Sequence, residues 1–291
     1  YPHFHPWAQN TGRWSTVNPP LAQLPSALRD SLIPDEGWRW VEHDWSAIEL
    51  RLIAVLSGDP IMQQAFAKDW DLHTLHMCEA FGWPHPKGWT KQEIKEDTEW
   101  QNKVPTNREE YRTFTKQFVF RLCYGGLPQG APTIPGAKSL GLQDAALIAA
   151  SKKWIIKHPA IQKFWRQLIH DCMKQRQART FIGRRWNFLG HDVKRIQRQL
   201  YDFPFQGAVS DIMNRTLIQI KETLGDRVRL AYSMHDSLKL MVKETAQVEE
   251  DIATIITIAE QEWIINGTQV RFPVEWKQRL HDNTPRYVKG E

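Results

Sequence analysis

The stretch RTFTKQFVFRLCYGG, residues 112–126, constrains the fold of this chain more than any other. Arg112, Lys116, Phe120 and Tyr124 recur at four-residue intervals and then give way to Gly125-Gly126. Each step of four turns an α-helix by about 400°, so successive side chains drift by only about 40°. The spacing predicts a helix over about 107–124 with two cations at one end of a single stripe and two rings at the other, stopped by the glycines. A core stripe would be apolar throughout, and a solvated face would not carry Phe and Tyr. The stripe suits a ligand with a polyanion at one end and a flat ring at the other; ordinary core packing of the two rings is the alternative.

The surrounding pattern is mixed helix and strand in a chain of 291 residues, enough for one large domain or two packed subdomains. Residues 1–37, with four prolines among residues 19–34, read as an extended lead-in. WRWVEHDW (38–45) alternates as a short strand, and SAIELRLIAVLSGD (46–59) as a helix with Ile48, Leu52 and Leu56 on one face. Short helices follow at about 60–68 and 71–81. Residues 82–107, with three prolines, many charges and Trp83, Trp89 and Trp100, read as an irregular surface excursion. A Gly/Pro-rich loop covers 125–141, and helical periodicity returns at 142–157 and 159–178. ARTFIGRRWNFLG (178–190) predicts a hairpin turning near Gly183, and a long helix over 194–224 is expected to bend near Pro204 and Gly207. RVRLAYSMHDSLKLMVK (227–243) alternates on both sides of His235-Asp236, a hairpin with an acid at its tip. Residues 244–265 look helical, and TQVRFPVEW (268–276) looks like a last strand.

The net charge of +5 and a sequence pI of about 9.1 favour polyanionic partners, although many basic proteins bind none. Cys78, Cys123 and Cys172 make no CxxC pair and no zinc spacing, which points to a reducing compartment such as the cytoplasm or nucleoid. No apolar run approaches membrane-spanning length, so no membrane partner is expected.

Two acids stand out by context. Asp44 ends a strand just before a helix, and Asp236 sits at a hairpin tip. Each alone reads as a cap or turn residue. A shared sheet would bring both to one edge, where their oxygens could take a hard cation such as Mg²⁺ that keeps positions open for phosphates.

With these residues in view the chain resembles the family A DNA polymerases, of the bacterial DNA polymerase I type. DWSAIELRLIAVLSGD (44–59) resembles their first catalytic motif, the opening stripe their fingers helix, and MHDS (234–237) their His-Asp motif. TGRWST (11–16), DLH (71–73), IGRRW (182–186) and FQGAVSDI (205–212) match in the same order. Any one motif is weak; seven in order carry the resemblance from residue 11 to about 276.

The resemblance implies an α+β fold: a right-hand polymerase palm, a small antiparallel sheet with packed helices, plus helical fingers. It assigns 1–59 to the first part of the palm, 60–190 to the fingers and 191–291 to the second part of the palm. It implies template-directed DNA synthesis, with dNTPs added to a primer 3′-hydroxyl by two-metal phosphoryl transfer. Asp44, Asp236 and the backbone carbonyl of Trp45 would hold two Mg²⁺ ions. Arg112 and Lys116 would grip the triphosphate, with His73 adding a phosphate contact; a helix-cap histidine is the plainer reading of His73. Phe120 would lie against the incoming sugar and base, and Tyr124 would stack on the template side. Glu49 would occupy the space of a ribose 2′-hydroxyl and pair with the Tyr124 hydroxyl. Arg13, Arg198 and Gln206 would touch the minor groove of primer–template DNA, where every Watson–Crick pair offers acceptors. His235 would contact the primer terminus and Arg184 a phosphate, although arginines near turns are often only solvated.

The sequence also departs from the family pattern. Ser237 replaces the usual Glu after His-Asp, Asp202 replaces an Asn, NPPLAQLP (18–25) has lost polar groups at Pro20 and Ala22, and Ala47 replaces a common Gln. Arg121 adds a cation beside Phe120, and the 82–107 excursion is longer than the bacterial pattern. Only ten residues precede Thr11, so neither a thumb nor an exonuclease domain is expected within the chain: either another chain supplies them, or the protein is split or truncated. Two other readings stay open: a non-catalytic primer–template binding module, and a single-subunit RNA polymerase, against which Glu49 and Phe120 argue.

Overall fold

A computed structural model describes residues 3–5, 9–25, 28, 32–188, 192–234, 236–279 and 285–286. The chain divides into two units, one of residues 1–49 with 175–291 and one of residues 50–174.

The first unit begins with β1 (His3–His5), which pairs antiparallel with β2 (Ser15–Val17) inside the stretch read as an extended lead-in. Strand β3 (Trp38–Trp45) follows the predicted bounds. Its alternation buries Arg39, Val41, His43 and Trp45 on one face and leaves Trp38, Trp40, Glu42 and Asp44 on the other. Helix α1 (Ile48–Ser57) starts in this unit and continues into the second.

The second unit is helical. Asp59 caps α2 (Pro60–Ala67) by accepting from the Met62 N–H at 3.0 Å, and Asp71 caps α3 (Leu72–Phe81). The 82–107 excursion is more regular than expected. Thr90 and Glu93 form a capping box that opens α4 (Lys91–Glu96), and Asp97 caps the single turn α5 (Thr98–Gln101). Trp100 is buried with Met77, Cys78 and Val104, and its indole N–H donates to the Pro84 carbonyl at 2.7 Å, so this tryptophan is core. Helices α6 (Arg108–Cys123), α7 (Asp144–Lys157) and α8 (Pro159–Gln175) follow the predicted periodicity.

The chain returns to the first unit through the short hairpin β4 (Gln177–Arg179) and β5 (Arg185–Asn187), with Gly183 at φ +104° in its turn. Helix α9 (Val193–Leu224) contains Pro204 and buries fifteen of its residues. Strands β6 (Val228–Met234) and β7 (Ser237–Lys243) form the expected hairpin, and α10 (Val248–Ala259) follows.

Two expectations change near the end. The helix read to 265 stops at Ala259, and β8 (Glu262–Ile265) turns through Asn266-Gly267, both at positive φ, into β9 (Thr268–Arg271). Asn-Gly between alternating apolar residues is a strong hairpin signal. The single last strand becomes two, because Pro273 has no N–H for a ladder; β10 (Val274–Arg279) begins just after it. The main sheet is antiparallel, in the order β11 (Pro285–Arg286), β10, β3, β7, β6. No helix among the described residues is long and apolar enough to cross a membrane.

Candidate active site

The first unit brings the two acids together. Asp44 lies opposite Ser237 in the β3–β7 register, and the Trp45 N–H donates to the Asp236 carbonyl at 3.3 Å. Asp44 is exposed and Asp236 half-buried. The other face of β3 anchors them: the Trp45 indole donates to the Ala259 carbonyl at 3.0 Å, and the Ser46 N–H donates to the Pro273 carbonyl at 2.9 Å. Ser237 is buried, with its hydroxyl donating to the Met234 carbonyl at 2.8 Å across the turn. It supports the hairpin and supplies no third carboxylate. His235 lies outside the described residues.

One acid was missed in the sequence. Glu275 on β10 stands directly opposite Asp44, so the two side chains leave the same face of the sheet. Nothing in the sequence spacing reveals this pairing of strands 231 residues apart; register emerges only when β10 adds to β3.

Glu49 forms an ion pair with Arg13, joining two predicted site residues. Asp202 is close to both: desolvation and then the Glu49 charge raise its pKa, while Arg13 pulls it down. Arg184 is turned to Asp211, its Nε donating at 2.8 Å, and the Thr180 hydroxyl donates to the same carboxylate at 3.0 Å. The Arg184 guanidinium also lies under Gly12, where a Cβ would come within 2.4 Å of it. Gly12, at φ +75°, is therefore needed both for its backbone conformation and for this approach. Arg198 is exposed on α9 and Gln206 half-buried on the same helix. A cavity of about 280 Å³ opens beside Arg13, lined also by Trp14, Met213, Ser233 and Met234.

The second unit carries the stripe. Phe114, Thr115, Phe118, Val119, Leu122 and Cys123 form the buried face of α6, which leaves Arg112, Phe120 and Tyr124 half-buried and Lys116 exposed. Phe120 and Tyr124 stack with centroids 6.3 Å apart and an interplanar angle of 14°. The Arg112 fork is held by Asp71, with Nε and Nη2 donating at 3.0 and 2.9 Å. Asp71 also accepts from the His73 N–H at 3.3 Å and the Thr74 hydroxyl at 2.8 Å, so one buried carboxylate orients both the arginine and the start of α3. Burial, then the Arg112 charge, lowers the His73 pKa to about 4, leaving a neutral imidazole at pH 7. Arg121 does not flank the stripe as a free cation. Its side chain packs under the Gly126–Gly130 loop, where a Cβ on Gly130 would collide with its guanidinium at 1.6 Å.

This architecture is that of an α+β polymerase domain. The POL domain of Pol1 from M. smegmatis, solved in complex with DNA primer-template and dNTP, matches with a TM-score of 0.74 over 95% of this chain and 47% of that one, at 22% identity. Residues 1–279 match the family model of DNA polymerase family A, and the chain belongs to that family. Among curated relatives, DNA polymerase I of Pseudomonas aeruginosa is 26% identical over 87% of this chain and 27% of its own length. DNA polymerase I of Rhizobium leguminosarum is 25% identical over 94% of this chain and 26% of its own length. The thermostable DNA polymerase I of Thermus thermophilus is 26% identical over 81% and 27%. The chain thus spans about a quarter of the length of these relatives.

Proposed function

We propose that the chain is the catalytic part of a template-directed DNA polymerase that adds dNTPs to a primer 3′-hydroxyl. The observation that carries this reading is the backbone contact between the end of β3, which carries Asp44, and Asp236 in the turn that leads into β7. Two carboxylates with solvent access are a donor set suited to Mg²⁺. Two such ions, held by Asp44, Asp236 and the Trp45 carbonyl, would supply stabilisation of the attacking and leaving oxygens.

The chain's own residues would do the rest. Residues 60–190 would serve as fingers, with Lys116 and Arg112 binding the triphosphate, Phe120 lying against the incoming sugar and base, and Tyr124 stacking on the template side. Arg112 would exchange part of its Asp71 pairing for phosphate oxygens; the guanidinium presents five donors, more than one carboxylate can satisfy. His73 would act as a neutral hydrogen-bond donor. Glu49, braced by Arg13, would exclude a 2′-hydroxyl. Arg198 and Gln206 would follow the minor groove of the primer–template.

Primer extension by the full chain, with whatever chains copurify, Mg²⁺ and four dNTPs, tests this reading. Extension is expected from wild type and lost in Asp236→Ala. Equal extension by Asp236→Ala would defeat the metal assignment, and tight primer–template binding without any extension would select the non-catalytic reading, which the loss of a carboxylate at Ser237 favours.

A further inference from the structure

Within residues 50–174 lies a buried polar cluster that nucleotide binding does not use. His76 and Glu79 are neighbours one turn apart on α3, and His158 follows α7. Both imidazoles are fully buried, and a ligand-capable atom from each of the three residues lies within 4.8 Å of the other two. Nε2 of His76 and Nε2 of His158 have no hydrogen-bond partner among the described residues. Burying two unpartnered ring nitrogens is costly unless something answers them.

The surroundings are arranged as a ligand site requires. Nδ1 of His158 lies 3.1 Å from both carboxylate oxygens of the buried Asp59, which favours the proton on Nδ1 and directs the lone pair of Nε2 outward. A carboxylate behind a ligating histidine in this way is the usual orienting partner at metal sites. His76 Nδ1 lies 3.7 Å from Glu79 Oε2 and takes only a long 3.3 Å bond from the Trp154 indole. The Trp154 ring stacks on His158 at 4.3 Å and closes that side. A cavity of about 290 Å³, lined by Cys78, Glu79, Trp83, His85, Trp154 and Lys157, gives access at Glu79. Lys157, partly exposed, pairs with Glu79 there and can withdraw to water.

We propose that His76, Glu79 and His158 bind a divalent transition-metal ion, with Zn²⁺ the best match to two imidazoles and one carboxylate. Asp59 positions His158, and the ion's charge offsets Asp59 and Glu79 in place of Lys157. The cavity side leaves the fourth tetrahedral position to water. The site ties α3 to the end of α7, and it stands whether or not the chain extends primers.

The test is a Zn²⁺ titration of the metal-stripped full chain against a chromophoric chelator, with Mg²⁺ in excess. One Zn²⁺ per chain is expected, and Co²⁺ in its place should show the visible absorption of a tetrahedral site. Glu79→Gln and His158→Gln should each weaken binding by 10- to 100-fold or more, and Asp59→Asn by about 10-fold. The partly exposed Glu79 makes Glu79→Gln the informative variant, its folding checked by circular dichroism. An Asp44→Asn/Asp236→Asn double variant should bind Zn²⁺ as wild type does. Absence of stoichiometric Zn²⁺, or binding unchanged in Glu79→Gln, would overturn the proposal.

Discussion

His43 sits directly beneath Asp44, on the buried face of β3, and couples this sheet's stability to pH. It is 0% exposed, its ring meets Trp45 edge-on at 4.9 Å, and neither ring nitrogen has a hydrogen-bond partner among the described residues. Burial lowers its pKa from 6.5 to about 4. Because the folded value lies below the unfolded one, the unfolded chain binds more protons between those values. Stability is then greatest above pH 6.5 and falls as pH drops toward 4. The whole window is worth roughly 3 kcal/mol, and the step from pH 7 to pH 5 about 2 kcal/mol. His43→Phe keeps a ring against Trp45 and removes the titration. Urea unfolding followed by tryptophan fluorescence at pH 8, 7, 6 and 5 measures both curves; His73 titrates in each and cancels in their difference. The variant should gain about 2 kcal/mol relative to wild type between pH 7 and pH 5. Parallel curves across that range would refute the argument that His43 is neutral because it is buried.

Asp71→Asn removes a charge facing the Arg112 fork and should destabilise the protein by about 2 kcal/mol in urea unfolding at pH 7; a loss under about 0.5 kcal/mol would mean the fork finds other partners. Glu49→Ala should let ribonucleotides in, lowering the dNTP over rNTP preference by about 100-fold in single-nucleotide primer extension. Arg13→Ala, which removes the partner of that carboxylate, should relax the preference part of the way, and no change in either variant would count against the gate. Glu275→Gln should lower the extension rate by about tenfold and raise the Mg²⁺ concentration needed for half-maximal activity.

How much of this was legible in the sequence depends on the range of the interactions involved. The α6 stripe was readable because helix geometry is local: the four-residue spacing of Arg112, Lys116, Phe120 and Tyr124 fixes a face without knowledge of the rest of the chain. The His-Asp hairpin was readable for the same reason. What failed depended on partners. In WRWVEHDW the alternation marks a strand without saying which face is buried, and the core-facing side of β3 is Arg39, Val41, His43 and Trp45. Arg39 is tolerated there because Glu244, Glu249 and Gln278 converge on its guanidinium from distant segments. Trp38 and Trp40 are covered from the other side, where Leu21 and Met241 pack near them and Arg229 lies 4.0 Å over the Trp38 ring. Trp100 was misplaced because proline and charge density in 82–107 outweighed one aromatic whose burial depends on Met77 and Cys78.

Ser237 and Glu275 extend that logic to the site itself. A hydroxyl after His-Asp looks like a lost acid when only β7 is considered, and the structure shows it committed to the Met234 carbonyl. The antiparallel ladder, however, sets a second residue opposite Asp44, on β10, and there the chain has an acid. Directly opposed residues on one sheet face have Cβ atoms about 5 Å apart, within reach of a shared hydrated cation for a side chain as long as Glu. Acidic density at this edge is thus set by β3, the turn before β7 and β10 rather than by one motif. The comparison that decides it is Ser237→Glu beside Glu275→Gln. If β10 supplies the acid, restoring a carboxylate at 237 should recover the extension lost in Glu275→Gln. If the two variants are simply additive, Glu275 has no share in the proposed metal site.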